Sequence, residues 1–403
     1  MEEQRPLPVL SSEHQQEETD EMASLVYKVW NKQGTSNRST AAFNIINSII
    51  GSGIIGLPYA LRQAGFPLGI LLLLFVGYIT DYSIILLIKG GNLAGTNSYQ
   101  ALVNKTYGYI GYLILSVLQF LYPFIAMISY NIITGDTLTK VFQRIPGVDQ
   151  DNLLIGRHVI ILCVTIIFTL PLSLYRNISK LGKVSFISLI LTVVIVVVGI
   201  IRAITFSSQV PETENAWVFA KPNAVQAIGV MSFGDIFENF CRDDDLATFG
   251  RFCYGITVIL TFPLECFVTR EVIANVFFNG NLTAICHVAL TVVIVAVATS
   301  ISLVYDCLGI VLELNGVLSA TPLVFILPAA CYLKLSEERW AHPDNLLSGL
   351  ILGVGMLVMI VGFVMTVLHP QECSHGKEMP YCFLGNSSLY NNTFPYSQPT
   401  RQP

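Results

Sequence analysis

The chain has 403 residues, 53% of them hydrophobic and 12% charged, with a net charge of −5. So few charges cannot clothe a soluble globular surface, and the acidic balance argues against a nucleic-acid binder. The composition predicts helices that live in lipid, where one span takes roughly 20 mainly apolar residues.

Residues 1–40 carry Glu2, Glu3, Glu17, Glu18, Asp20 and Glu21 and no apolar core. They read as a disordered cytoplasmic tail and not as a cleaved signal peptide. A transmembrane domain is expected over 41–369, with full spans near 41–61, 67–88, 110–133, 157–174, 184–201, 247–269, 284–305, 317–333 and 346–368. A tenth stretch, 225–233, soon meets Asp235, Glu238 and the run Arg242 to Asp245, and so has the length of half a span. Lys28, Lys32 and Arg38 precede the first span, and Arg176, Lys180 and Lys183 follow the fourth, which places both on the cytoplasmic side. The segments 136–156 and 205–222 mix the two signs of charge and suit the opposite face.

Nine crossings leave residues 370–403 as an extracellular or lumenal tail. Asn386 and Asn391 there begin Asn-x-Ser/Thr sequons, which act as glycosylation sites only on that face. Cys373 and Cys382, nine residues apart, are placed to form a disulfide in the same oxidising space, whereas Cys163, Cys286 and Cys331 lie in spans. Sequons at Asn37, Asn104 and Asn177 fall on segments expected to be cytoplasmic. No Cys/His spacing suits zinc and no Gly-rich loop is followed by Lys-Ser/Thr.

The first span places Asn44, Asn47, Gly51, Ser52, Gly53, Gly56 and Pro58 within one crossing. Closely spaced glycines weaken a helix, and backbone freed at membrane depth is tolerated only against protein or a water-filled cavity. Freed N–H groups there can hold a carboxylate, and freed carbonyls a cation. The plainer alternative is that the glycines only let a neighbouring helix approach closely. In the sixth full span, Thr257 and Thr261 are four apart and share a helix face, where their hydroxyls could complete a cation shell. Each could equally donate to the carbonyl one turn back in its own helix. Glu265 either faces a cavity or sits beside Arg270 near the cytoplasmic end.

Asn44 to Ala60, Thr257 to Pro263 and Gly316 to Pro328 together resemble the sodium-coupled neutral amino acid transporters of the amino acid/auxin permease superfamily, over about Thr40 to His369. The resemblance implies an all-α polytopic membrane protein with a LeuT-like fold: eleven spans, two five-helix inverted repeats, a cytoplasmic N-terminus and an external C-terminus. It implies sodium at Asn47 and at Thr261 or Thr257. The substrate carboxylate would lie against Gly51, Ser52 and Gly53, with Asn44 in the pocket and Tyr122 and Tyr130 offered for its wall, although tyrosines in a bundle more often simply pack.

This chain departs from that pattern after Phe233. Gly234 to Asp245 resembles the loop before the eighth helix, so around fifty residues, half a span, a loop and a whole span, are expected to be missing near 233/234, as in a spliced form. Nine full spans and a short segment then stand where the family has eleven, with parity preserved.

Three readings follow. The first is sodium-dependent symport of neutral amino acids, with no cofactor, at the plasma or lysosomal membrane. The second is a transport-deficient shortened isoform that pairs with the full-length protein or with another copy of itself. The third, an intramembrane enzyme, lacks support, since His287 and Asp306 stand too isolated to build a catalytic site.

Overall fold

Proline and glycine set where these apolar stretches begin, bend and stop. The computed structural model describes residues 38–50, 61, 64–144, 156–206, 219, 244–278, 280–305, 307–339 and 342–368. The polar tail 1–37, the expected glycine break at 51–60, the expected half-span 225–233, the 233/234 junction and the tail 370–403 lie outside them. The described elements are helices: α1 Arg38–Ile50, α2 Phe66–Ala94, α3 Tyr99–Phe142, α4 Arg157–Ser173, α5 Gly182–Phe206, α6 Asp245–Phe278, α7 Ala284–Val304, α8 Leu308–Leu335 and α9 Pro343–Leu368. A 3-10 turn, Ile178–Leu181, leads into α5. Seven of these helices, α2, α3 and α5 to α9, are long and apolar enough to cross a membrane; α4 is shorter.

Every expected span overlaps a helix, but several boundaries differ. α3 runs on to Phe142, so Asp136 and Lys140, read above as loop, are helical. Asp136 accepts a hydrogen bond from Arg157 Nε at 2.6 Å, so the charge is held against α4 and does not end the helix. At its start α3 is two helices joined at Gly108, whose φ of 69° suits only a residue without Cβ. α6 likewise outruns its expected span at both ends. Asp244 accepts from the N–H groups of Leu246 and Ala247 and pairs with Arg202 of α5, which caps and anchors the start of α6.

α8 carries two π-helical segments, Gly316–Ala320 and Pro322–Ile326, and α4 carries one, Thr165–Thr169. Pro171 follows the α4 segment, Pro322 opens the second α8 segment and Pro328 follows it; a missing N–H breaks the usual ladder and releases carbonyls one turn back. Neighbours use what is released. Tyr99 donates to Leu323 O at 2.8 Å, and Ser83 donates to Val324 O, the carbonyl four residues before Pro328.

The largest core joins α3 (Met127, Tyr130, Ile133), α5 (Ile195, Val198), α6 (Tyr254, Val258, Phe262), α7 (Ile294, Ala298) and Leu312 of α8. Tyr130, offered above as a pocket wall, packs inside this core. Smaller cores tie α2 to α3 and α8, and α2 to α8 and α9. The carbonyls at the C-terminal end of α4 and just beyond it are met by side chains from elsewhere. Arg270 donates to Ser173 O at 2.9 Å, to Tyr175 O at 3.1 Å and to Thr291 Oγ1 at 2.9 Å, while His287 Nε2 lies 3.1 Å from Leu174 O. Arg270 is therefore turned to α4 and α7.

Candidate functional site

α1 is a plain helix as far as Ile50, and its two amides have different fates. Asn44 is fully engaged: its Nδ2 donates to Ile178 O at 3.0 Å and its Oδ1 accepts from Ser185 Oγ at 2.6 Å. Those bonds tie α1 to the 3-10 turn and the first turn of α5. The Asn44 amide, expected from the sequence in the pocket, makes both of these bonds in the packing of α1.

Asn47, one turn on, is 0% exposed, and neither Nδ2 nor Oδ1 has a hydrogen-bond partner. A buried amide normally makes its bonds, and leaving each group unmade costs about 1–3 kcal/mol, so such a residue calls for an explanation. Ser188 of α5, also 0% exposed, has an unpartnered Oγ. Gly51, Ser52 and Gly53, where the sequence leads one to expect a break, lie outside the described residues.

Thr257 and Thr261 are buried on α6, which packs against both α1 and α5. Thr257 Oγ1 donates to Cys253 O at 3.0 Å and Thr261 Oγ1 donates to Thr257 O at 2.8 Å, the plainer of the two alternatives left open by the sequence. This back-bonding uses the hydroxyl proton and leaves the oxygen lone pairs available as hard acceptors. Amide oxygen and hydroxyl oxygens are the donor set that suits a small, hard cation.

Tyr122 and Glu265 lie farther along α3 and α6. Tyr122 is half-buried; its carbonyl accepts from Asn315 Nδ2 of α8 at 3.2 Å, and its hydroxyl lies within electrostatic range of the Glu265 carboxylate. Glu265 does not pair with Arg270, whose guanidinium is taken up by carbonyls and a threonine. Asn315 and Ser319 of α8 keep unpartnered buried oxygens on the same π-bulged helix. Among the described residues no group of His, Cys, Asp and Glu could hold a metal ion.

Sequence reasoning reached Asn47 and the threonines through their company of glycines and helical spacing. It missed Ser185 and Ser188, although two serines three apart in a stretch, Val184 to Val198, whose only other polar residue is Thr192, were a readable signal.

The expected pairing of Cys373 with Cys382 falls outside the described residues, as do Asn386 and Asn391. Cys307, in the connection between α7 and α8, is disulfide-bonded to a partner also outside them. Cys163, Cys253, Cys266, Cys286 and Cys331 are free thiols.

Against known proteins, the profile of the family described as "Transmembrane amino acid transporter protein" matches residues 34–234 and 234–368. A Bos taurus protein named "Putative sodium-coupled neutral amino acid transporter 11" is 57% identical over 441 aligned positions, covering 96% of this chain and 95% of the relative. The Homo sapiens protein of the same name is 57% identical over 396 positions, covering 85% and 98%. The "Vacuolar amino acid transporter 2" of Saccharomyces cerevisiae is 27% identical over 410 positions, covering 85% of each chain.

Proposed function

The chain belongs to the transmembrane amino acid transporter family, and we propose that it carries neutral amino acids across a membrane by sodium-coupled symport. The protein is a multi-pass membrane transporter and not an enzyme. Sodium and neutral selectivity are our extension, drawn from what the relatives are called and from the chemistry of the site.

The observation that carries this reading is the buried Asn47 amide with neither atom partnered, one turn before the Gly51-Ser52-Gly53 sequence. Its Oδ1, with the lone pairs of Thr261 and then Thr257, offers hard oxygens to a sodium ion; carbonyls freed at the break would supply the rest. The N–H groups of Gly51, Ser52 and Gly53 would hold the substrate carboxylate, with Tyr122 at the pocket wall. Substrate and ion would then share one broken helix, so that occupancy by one pre-orders the break for the other; reciprocal coupling of the two affinities follows.

Two further parts of the reading concern topology. We place the N-terminus in the cytoplasm and the C-terminal tail, with Asn386 and Asn391 glycosylated, outside the cell or in the lysosomal lumen. The Cys307 disulfide supports this, because the count of crossings puts the α7–α8 connection on that same oxidising face. We also hold that about a span and a half present in relatives is missing near 233/234. The two matched segments meet at Gly234, and 441 aligned positions cannot be filled by 403 residues. No observation favours the non-transporting, full-length-pairing role over transport.

Uptake of labelled neutral amino acids into proteoliposomes, with sodium or choline outside, tests the reading. The expected result is uptake that needs sodium and is lost in Asn47→Ala at equal protein abundance. Uptake indifferent to sodium, or unchanged in Asn47→Ala, would overturn it.

A further inference from the structure

Ser188 lies on a helix to which neither the sequence motifs nor the resemblance gave a role in binding. α1 and α5 run parallel, and their contacts climb together: Thr40 packs at Gly182, the rings of Phe43 and Phe186 are 4.9 Å apart, and Ser185 bonds Asn44. Advancing three residues on each helix, from Asn44 to Asn47 and from Ser185 to Ser188, gives the same rise of about 4.5 Å and the same rotation. The seam that begins with a satisfied pair, Asn44 with Ser185, thus continues to a second Asn–Ser level. There all three side-chain polar atoms, Asn47 Nδ2, Asn47 Oδ1 and Ser188 Oγ, are buried without partners.

α6 closes the same seam from its third side. α5 and α6 run antiparallel, with Ile195 and Val198 in one core with Tyr254 and Val258. Following α5 back toward its start and α6 onward from Val258 brings Ser188 and Thr261 into the same band of the membrane, within about a turn of each other. The carbonyl of Ser188 is already taken by Thr192 Oγ1 at 2.9 Å, so its hydroxyl is what it has left to offer.

We infer that Ser188 Oγ is a further ligand for the monovalent cation assigned above to Asn47 and Thr261, which makes the site a three-helix junction of α1, α5 and α6. This rests on the sodium-coupled reading. The repetition of an Asn–Ser pair explains its placement: the lower pair locks the helices together, and the upper pair, held at the same spacing by that lock, presents two oxygens to an ion.

The test measures thermal unfolding of the purified full chain in detergent against rising sodium chloride, with choline chloride as the ionic-strength control, alongside sodium-dependent uptake. Ser188→Ala is expected to raise the sodium concentration for half-maximal stabilisation at least about fivefold, as loss of one bond to a charged partner does. The amino acid KM at saturating sodium should stay within about twofold of the wild-type value, since the substrate contacts are untouched. Ser188→Thr keeps the oxygen and should restore the wild-type sodium dependence. Ser188→Cys, with a soft donor of similar size, stands in if the alanine variant fails to accumulate. Wild-type sodium dependence in Ser188→Ala or Ser188→Cys, with loss in Asn47→Ala, would overturn the role of Ser188 and leave sodium binding standing. No sodium-specific stabilisation of the wild-type chain would overturn both.

Discussion

α2 and α6 are both long apolar helices, and they stand at opposite extremes of burial. Of the most apolar window of α2, 11% is buried inside the protein; of that of α6, 67%. α2 turns Leu71, Leu74, Phe75 and Tyr78 outward, while α6 buries Arg251, Thr257, Thr261, Thr269 and Arg270 beside Tyr254 and Phe262. In lipid there is no hydrophobic gain from hiding a leucine from tails that are equally apolar. The helix at the centre is therefore the one with polar groups, because only there can other helices satisfy them. Apolarity marks a span; interrupted apolarity marks its place in the bundle.

The contrast can be broken most forcefully at Phe262. Phe262→Ala should destabilise the protein by about 3–5 kcal/mol, whereas Leu74→Ala on α2, replacing a side chain that faces outward, should change stability by less than about 0.5 kcal/mol. Reversible unfolding in mixed detergent micelles reads both, and equal losses would refute the assignment of inside and outside.

Next comes Arg270. Arg270→Gln removes donors from Ser173 O and Tyr175 O and from Thr291, and should cost about 2–3 kcal/mol through the buried acceptors it abandons. The measurement is the apparent Tm by fluorescence-detected size exclusion, where an unchanged value would show that α4 does not depend on this clamp.

A smaller loss is expected at the α3–α6 contact. A Cβ at Gly255 would lie 2.8 Å from Leu138 Cδ2, so Gly255→Val should overpack the interface and cost about 1–3 kcal/mol. Pairing it with Leu138→Ala should recover part of that loss, which the same Tm assay would register.

The smallest effect belongs to the end of α2. Asp344 at the start of α9 accepts from Tyr82 Oη at 2.9 Å and pairs with Lys89 at 2.7 Å, but both charged side chains are partly exposed. Asp344→Asn should therefore cost no more than about 1 kcal/mol, and raising salt should shrink the difference in Tm between wild type and variant.

How far the sequence could be read depended on the kind of signal. Runs of about 20 apolar residues are local, so each full span expected from them overlaps a described helix, seven of them long enough to cross a membrane. The ends were misjudged where a charge is neutralised by a distant partner, as with Asp136 on Arg157, because a sequence does not display its ion pairs. Asn44 and Asn47 looked alike in the motif, three residues apart in one polar run. Their difference comes from the 3-10 turn and α5, more than a hundred residues away, which offer Ile178 O and Ser185 to the one and no hydrogen-bonding partner to the other.

Composition by itself determined that this chain is a helical membrane protein, since backbone groups in lipid must bond within their own segment and 53% hydrophobic residues leave little else to build. The first-span glycines and amides by themselves pointed to a broken helix that binds something small. Which helices surround α1, which polar side chains are spent in holding them, and that Ser188 faces the same seam as Asn47 were decided by tertiary structure alone. Helix pairing is set by the shapes and partners of residues far apart in the chain, and periodicity within one helix carries no record of its neighbour.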